Sequence, residues 1–298
     1  MSTTSQTAGA EQAWTVGGLL EWTERFLAQK GVEFPRLDAQ VLLAYALGCK
    51  RIDLYGLLHG QPATEEVRQR YRDLIRRRVE GCPVAYLVGR KEFYSLELEV
   101  SPAVLIPRPD SEVAVVECLE LAKQMAEPTI LDIGTGSGNL AIAIAKHHKG
   151  AEVTAVDLSP DALAVAQRNA AKHDVAERIR FLCGDLFEAV PAGERFDFVI
   201  SNPPYIPSAE VKRLAPGVRD YEPHLALDGG PDGYAVFERL VAEARQHLEP
   251  GGHLIVEITT AQEGPARQRL AALAGYELAP TIYDHGRHPR VLRARWSA

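Results

Sequence analysis

Four consecutive residues, Asn202, Pro203, Pro204 and Tyr205, have side chains that could hold a flat polar group. They follow an apolar run at 196–201 that predicts a buried strand. The prolines stiffen the loop, and the Asn side chain offers one acceptor oxygen and two donor hydrogens. A proline turn capped by Asn would explain the loop as structure alone. Because ligands of open α/β sheets bind at the carboxyl ends of strands, the residues favour a grip on a planar amide or amino-substituted ring.

A glycine-rich loop follows another apolar run, at 129–133, and precedes a helical pattern at 140–145. Its glycines allow a tight strand-to-helix turn and close approach of a ligand to the backbone, although such a loop can also be only a turn. The G-x-G-x-G spacing differs from the dinucleotide motif, which directs a helix N-terminus at a pyrophosphate. The neighbouring Asp132 suits a cationic ligand instead. The loop consists of Gly134, Thr135, Gly136, Ser137 and Gly138.

Two further predicted strands end in acidic residues. The strand at 152–156 ends in Asp157, whose carboxylate could accept hydrogen bonds from both hydroxyls of a ribose. The strand at 179–183 is followed by Asp185 and Leu186, which could bind the amine and the ring face of adenine. Each aspartate alone could be a helix cap or a turn residue. Four strand ends of this kind together predict a site for a nucleoside-containing ligand.

Apolar periodicity divides the chain into four segments. We expect residues 1–13 to be disordered, because they are rich in Ser, Thr, Gln, Ala and Gly. Residues 14–85 predict a helical bundle, and 86–109 combine a β-hairpin pattern with a proline-rich linker. Residues 110–298 predict an α/β domain. The helical patterns of the bundle cover 14–30, 36–47 and 64–80.

The composition disfavours several classes of protein. A chain of 298 residues with 46 % hydrophobic residues can form two domains with buried cores. A net charge of -7 disfavours broad, sequence-independent binding to nucleic acid. Four cysteines without a C-x-x-C pair are typical of reduced thiols, so we expect a cytoplasmic protein. We expect no membrane span, since no run approaches about 18 apolar residues, and no metal site.

The chain resembles the class I S-adenosylmethionine-dependent methyltransferases. Within them it is similar to the protein-(glutamine-N5) methyltransferases of peptide chain release factors, the PrmC/HemK family. The resemblance covers about residues 15–295 and departs from the family pattern at Ser95, Ser111 and Thr259, where Gly, Thr and Gly are usual. Besides the loop at 202–205, the segments that carry it are 91–94, 106–112, 222–230, 232–233, 248–252 and 284–290.

The resemblance implies a Rossmann-like, mostly parallel sheet of about seven strands, with an antiparallel strand near the C-terminus. It implies S-adenosylmethionine as the methyl donor and class 1 release factors as the protein partners. The residues expected to bind this cofactor are Asp132, Gly134, Thr135, Gly136, Ser137, Gly138, Asp157, Asp185, Leu186 and Asn202. Those expected to bind the substrate are Asn202, Pro203, Pro204, Tyr205, Phe93 and Arg108.

The expected catalytic residues are Asn202, Pro203 and Tyr205. A glutamine amide nitrogen is a weak nucleophile, so it must be held with its lone pair facing the methyl group. The expected substrate is the glutamine of a Gly-Gly-Gln loop. An amino methyltransferase acting on adenine or cytosine in nucleic acid is one alternative, because an exocyclic amine is also planar. A non-catalytic nucleotide-binding module is another.

The third helical pattern carries three arginines on one face, Arg68, Arg72 and Arg76. A solvated helix face, balanced by nearby acidic residues, is one interpretation. A patch that docks an acidic protein or RNA is the other. Because selection of one protein substrate needs contacts outside the pocket, we predict that the bundle docks the release factor.

Overall fold

The computed structural model describes residues 14–297. The chain divides into two compact units between Val88 and Gly89. Residues 14–88 of the first unit contain four α-helices, and the last of them runs past residue 85, the predicted end of the bundle. These helices are α1 (Val16–Gln29), α2 (Pro35–Leu47), α3 (Glu65–Val79) and α4 (Val84–Val88).

Local signals determine where the helices of the first unit begin. The hydroxyl of Thr15 accepts a hydrogen bond from the backbone N–H of Gly18 at 3.1 Å, and Thr64 caps α3 in the same way. Pro35 begins α2, where a missing N–H costs nothing. The helices bury an apolar core, and the fully buried Tyr71 donates a hydrogen bond from its hydroxyl to the carbonyl of Ala39 at 3.0 Å.

The second unit opens with an antiparallel hairpin of β1 (Arg90–Phe93) and β2 (Leu96–Glu99). Its two turn residues, Tyr94 and Ser95, both have positive φ, at 48° and 61°. Glycine or asparagine usually occupies such positions, so Ser95 adopts a conformation that is strained for an L-residue. The chain then leads to α5 (Glu112–Ala122).

An eight-stranded sheet forms the centre of the second unit, in the order β5-β4-β3-β6-β7-β10-β8, with β9 paired to β10. β3 to β7 run parallel, and β10 is antiparallel to its three neighbours. The predicted Rossmann-like sheet is confirmed. The strands are β3 (Thr129–Ile133), β4 (Glu152–Asp157), β5 (Ile179–Cys183), β6 (Phe196–Ser201), β7 (Leu248–Glu257), β8 (Tyr276–Leu278), β9 (Ile282–Tyr283) and β10 (Pro289–Trp296).

Helices cover both faces of this sheet, so adjacent residues of one strand enter different cores. Ile130 packs with α5 and with the helix after the glycine loop, whereas Leu131 packs on the opposite face. No helix among residues 14–297 has the length and apolarity to cross a membrane. The remaining helices are α6 (Asn139–His147), α7 (Pro160–Lys172), α8 (Ser208–Val211), α9 (Pro216–Arg219), α10 (Ala235–Ala244) and α11 (Glu263–Ala271).

Candidate active site

A cavity of about 590 Å³ opens at the carboxyl ends of β3, β4 and β6. This volume suits a nucleoside-sized ligand. Most of the site residues predicted from the sequence meet here. Those on its wall are Arg108, Gly134, Thr135, Gly136, Ser137, Asp157, Asp185, Leu186, Asn202 and Pro204.

The glycine loop turns β3 into α6 and forms part of the cavity wall. Gly134 and Gly136 have φ of +75° and +55°, and a Cβ on either would meet no protein atom within 4 Å. A ligand can therefore approach the backbone at both positions. Gly138 differs, because its Cβ would lie 2.8 Å from the side chain of Ile142. Packing therefore requires a glycine at 138, and Gly138 is not on the cavity wall.

Asp157 ends β4 at the cavity wall. One of its carboxylate oxygens accepts the N–H of Gly136 at 2.7 Å, and the other accepts the N–H of Ser159 at 2.9 Å. Burial raises the pKa of Asp157, and these two N–H groups oppose the rise. The backbone N–H of Leu158 also opposes the rise. A carboxylate has about four acceptor sites, so Asp157 can still accept a hydrogen bond from a ligand hydroxyl.

Asp132 is fully buried beneath the glycine loop and is not on the cavity wall. The hydroxyl of Thr135 donates a hydrogen bond to its carboxylate at 2.6 Å. Burial raises the pKa of Asp132 to about 7, opposed by Thr135 and by the backbone N–H of Ala141. The structure therefore gives this carboxyl a role in bracing the loop, in place of the predicted contact with the cofactor.

Asp185 and Leu186 lie on the cavity wall. Asp185 forms an ion pair of 2.9 Å with Arg239 of α10, and Arg239 itself faces the cavity. Sequence reasoning missed Arg239, since a lone arginine in an amphipathic helix carries no local signal. Leu186 has a φ of 51°, which turns the chain as it leaves β5.

Asn202 follows β6 and orients its side chain through Ser111. Its Nδ2 donates a hydrogen bond to the hydroxyl oxygen of Ser111 at 3.1 Å. The adjacent Ser201 donates from its own hydroxyl to the carbonyl of Ile133 at 2.7 Å, which joins the ends of β6 and β3. Since Nδ2 faces Ser111, the amide oxygen of Asn202 is left to accept hydrogen bonds from a ligand.

The rest of the proline loop is held by the segment 229–233. A Cβ on Gly229 would lie 2.7 Å from the carbonyl oxygen of Pro204, so the two backbones are in direct contact. Pro203 is buried, and neither it nor Tyr205 is on the cavity wall. Burial raises the pKa of Tyr205 to about 12, so its hydroxyl remains protonated at neutral pH.

Arg108 is half-buried and lies on the cavity wall. Its Nη2 forms an ion pair of 2.5 Å with the carboxylate of Glu222, which is buried. The second oxygen of Glu222 accepts the N–H of Ile106 at 3.3 Å. Glu222 thereby fixes the segment 106–108 against the cavity.

The structure does not bring Phe93 to the site. Its side chain is 1 % exposed and packs in the core with Leu96, Leu98 and the helices on that face of the sheet. Burial of an aromatic ring in a β-hairpin is ordinary core packing. The expected contact of Phe93 with substrate is therefore replaced by a structural role. Among residues 14–297, no group of three or more His, Cys, Asp or Glu could hold a metal ion.

Asn169 of α7 supports the glycine loop and was not found by sequence reasoning. It is fully buried, and its Nδ2 donates to the carbonyls of Glu99 and Ser137, each at 3.0 Å. Its Oδ1 accepts the N–H of Glu99 at 2.6 Å. One side chain therefore ties the hairpin to the loop of the cavity.

We expect Asn169→Ala to lower the free energy of unfolding by about 2–4 kcal/mol, because three hydrogen bonds end and buried backbone groups lose their partner. Chemical denaturation measures this change. Lys172→Ala on the same helix is the control, since its ion pair with Glu97 is exposed and should contribute no more than about 1 kcal/mol. Equal losses in the two variants would contradict the role of Asn169.

Comparison with known proteins identifies the class to which this chain belongs. Residues 113–215 match the methyltransferase small domain, and residues 18–89 match the PrmC N-terminal domain. The fold resembles that of the 16S rRNA N2 G1207 methyltransferase (RsmC) of T. thermophilus, solved with AdoMet and guanosine. That similarity has a TM-score of 0.52 at 20 % identity and covers 70 % of this chain and 49 % of the other. The protein is a methyltransferase.

Relatives of nearly the same length define the family. The release factor glutamine methyltransferase of Rhodopirellula baltica is 44 % identical over 283 residues, which are 94 % of this chain and 95 % of the relative. The protein of the same name from Geobacter sulfurreducens is 45 % identical over 252 residues, which are 84 % of this chain and 86 % of the relative. The chain belongs to the release factor glutamine methyltransferase family.

Proposed function

We propose that this protein transfers a methyl group from S-adenosylmethionine to the side-chain nitrogen of the glutamine in the Gly-Gly-Gln motif of class 1 release factors. The observation that carries the proposal is the position of Asn202, which lies on the wall of a nucleoside-sized cavity while its Nδ2 donates a hydrogen bond to Ser111 at 3.1 Å. Release factors act in translation termination, so the protein works in the cytoplasm.

The residues present fit S-adenosylmethionine. The open space above Gly134 and Gly136 would accommodate the methionine end of the molecule. The two oxygens of Asp157 would accept the ribose hydroxyls, and Asp185 with Leu186, which also line the cavity, would contact the adenine. When bound, this cofactor supplies a methyl group on a sulfonium, which is a good leaving group and needs no acid.

The chain's own residues prepare the acceptor nitrogen. The amide oxygen of Asn202, on the cavity wall, accepts one N–H group of the glutamine side chain. In this scheme the backbone carbonyl of Pro203, whose residue is buried before substrate binds, accepts the other. These bonds favour a pyramidal nitrogen whose lone pair is freed from the carbonyl. Tyr205, which is largely buried, excludes water from the loop. Alignment of this kind supplies several kcal/mol.

No catalytic base is required in this scheme. The amide nitrogen of a glutamine is too weakly acidic to lose a proton before transfer. After transfer the nitrogen carries a positive charge and is strongly acidic, so the proton passes to solvent as the product leaves the site. Asn202 and Pro203 act by orientation alone, and the phenol of Tyr205 stays protonated at neutral pH because burial raises its pKa to about 12.

Mass spectrometry of a purified release factor, after incubation with the protein and S-adenosylmethionine, tests the proposal. We expect one added methyl group on the glutamine of the Gly-Gly-Gln motif. A release factor in which that glutamine is replaced by asparagine should stay unmodified. Methyl transfer to adenine or cytosine of DNA or RNA, with none to release factor, would overturn the proposal.

The first unit offers a second surface for the release factor. A cleft of about 470 Å³ is lined on one side by Trp14, Trp22 and Phe26. The rings of Trp22 and Phe26 stack at 5.0 Å between centroids, and Trp22 is 43 % exposed. Such exposed aromatic surface is typical of a protein-binding site.

The predicted arginine face lines the other side of this cleft, through Arg68, Arg72 and Arg76. Arg76 is paired with Asp73 at 3.3 Å and Arg68 with Glu65, so the face is partly balanced by its own helix. We propose that the cleft takes an apolar side chain of the release factor flanked by acidic residues, with the arginines exchanging their exposed partners for those of the substrate.

Reversing Arg68, Arg72 and Arg76 to Glu should raise the KM for intact release factor at least tenfold, because like charges would then oppose an acidic partner. Affinity for S-adenosylhomocysteine should not change. Reversing Arg25, Arg51 and Arg77, which lie outside the cleft, gives a control with the same net charge. A similar KM in the two triple variants would leave the cleft without a role in docking.

A further inference from the structure

A buried carboxyl group lies next to Asn202 without a role in the scheme above. Glu257 is the last residue of β7 and is 4 % exposed. On one side β7 pairs with β6, and Val256 lies opposite Ser201. The next residue of each strand is Glu257 on β7 and Asn202 after β6, so these two residues are neighbours at the ends of adjacent strands. On the other side Glu257 lies opposite Val291 of β10.

Few groups are available to stabilise this carboxyl. Ser111 and the amide of Asn202 face it, the phenol of Tyr205 is close enough for its pKa to be raised by the charge of Glu257, and among the described residues its Oε2 has no hydrogen-bond partner. Arg290 is the nearby cation, but its guanidinium already forms ion pairs of 2.8 Å with Asp110 and with Asp284. Glu257 therefore has no cation of its own.

These surroundings set the ionisation of Glu257. Burial raises its pKa to about 7, and the negative charge of Asp110 adds to the rise. Ser111, Arg290 and Asn202 oppose it. The protonated form therefore persists to a higher pH than in an exposed glutamate, and the ionised form increases as the pH rises.

The side chain of Asn202 needs one orientation for catalysis. Its oxygen must face the cavity to accept an N–H of the acceptor, whereas its NH2 must face away. Ser111 alone cannot impose this, because a hydroxyl both donates and accepts hydrogen bonds. An ionised carboxylate only accepts, so it selects the NH2 end of the amide. A protonated carboxyl can donate and loses that selectivity.

We propose that ionised Glu257 is a positioning residue that holds the NH2 group of Asn202 away from the cavity and so directs the amide oxygen at the acceptor nitrogen. The catalytic part of this inference rests on the proposed function, whereas the orientation of Asn202 stands without it. Glu257 touches neither the cavity wall nor the acceptor. It acts through Asn202.

The wild-type protein provides the first test. In the complex with S-adenosylhomocysteine, the chemical shifts of the side-chain 15N and 1H nuclei of Asn202 should change with pH, with a midpoint near 7. These signals are assigned by their absence from the spectrum of Asn202→Ala. In Glu257→Gln, which keeps the shape but not the charge, this titration should be absent. A midpoint that is unchanged in Glu257→Gln, or no titration in the wild type, overturns the proposal. This readout does not depend on which acceptor is methylated.

Kinetics provide the second test. Glu257→Gln should lower kcat about 10- to 100-fold, as expected for loss of alignment, with KM for release factor and affinity for S-adenosylhomocysteine changed less than about threefold. The wild-type kcat should rise with pH through about 7, and this rise should be absent in the variant. Glu257→Asp should recover part of the rate. A normal kcat and pH profile in Glu257→Gln contradicts the role, whereas absence of methylation by the wild type contradicts only the proposed substrate.

Discussion

Asn202→Ala should lower the rate of methyl transfer at least about 100-fold, because the acceptor nitrogen loses the group that orients it. The side chain lies at the cavity wall, and its NH2 is already committed to Ser111 at 3.1 Å. Its oxygen is therefore available to accept an N–H of the acceptor. Single-turnover measurement at saturating S-adenosylmethionine isolates this step from cofactor binding.

Two controls make the result on Asn202 specific. Affinity for S-adenosylhomocysteine should fall by no more than a few-fold, which shows that the cavity is intact. Asn139→Ala changes another asparagine of the cavity wall, at the start of α6, and should retain most of the rate. A rate near that of the wild type in Asn202→Ala would refute the proposed grip on the amide.

Asp157→Ala should weaken the binding of S-adenosylmethionine and S-adenosylhomocysteine at least tenfold. Hydrogen bonds to a charged group contribute roughly 1.5–3 kcal/mol each, and one such bond already exceeds a tenfold change. The same carboxylate also holds the N–H of Gly136 at 2.7 Å, so its loss loosens the glycine loop. Titration calorimetry with S-adenosylhomocysteine measures the effect.

The affinity for S-adenosylhomocysteine should also depend on pH, because Asp157 binds best when it is ionised. Because burial raises its pKa, protonation begins closer to neutrality than for an exposed aspartate, and affinity should fall as the pH is lowered. Asp161→Ala removes an exposed carboxylate from the first turn of α7 and should leave affinity unchanged. Equal affinities of Asp157→Ala and Asp161→Ala for S-adenosylhomocysteine would rule out the assignment to the ribose.

Local sequence patterns were sufficient to predict the strand ends that form the cavity. The glycine loop, Asp157 and the loop at 202–205 each follow a short apolar run, and parallel strands bring such ends to one edge. The resemblance to a known family supplied the antiparallel strand. The order of the strands in the sheet is not visible in any single segment.

The side chains that hold the cavity residues in place could not be predicted from local patterns, because each of them contacts a residue that is distant from it in the sequence. Asn169 contacts Glu99, 70 residues away, and Asn202 contacts Ser111, 91 residues away. Phe93 shows the opposite error, since a resemblance does not reveal which aromatic ring is buried. The sequence does contain one signal for Glu257. A single acidic residue within the apolar run 254–258 indicates a buried carboxyl group, and buried carboxyl groups are often functional.

The position of β10 has a consequence for how the protein folds during its synthesis. β10 (Pro289–Trp296) lies between β7 and β8, although both precede it in the chain. Until β10 is made, β7 has an open edge, which is a template for aggregation, and β8 has no partner strand. The first unit and the strands up to β7 emerge from the ribosome earlier. Val291 closes the sheet beside Glu257, so the nascent chain cannot complete the support of Asn202 until its last strand has been translated.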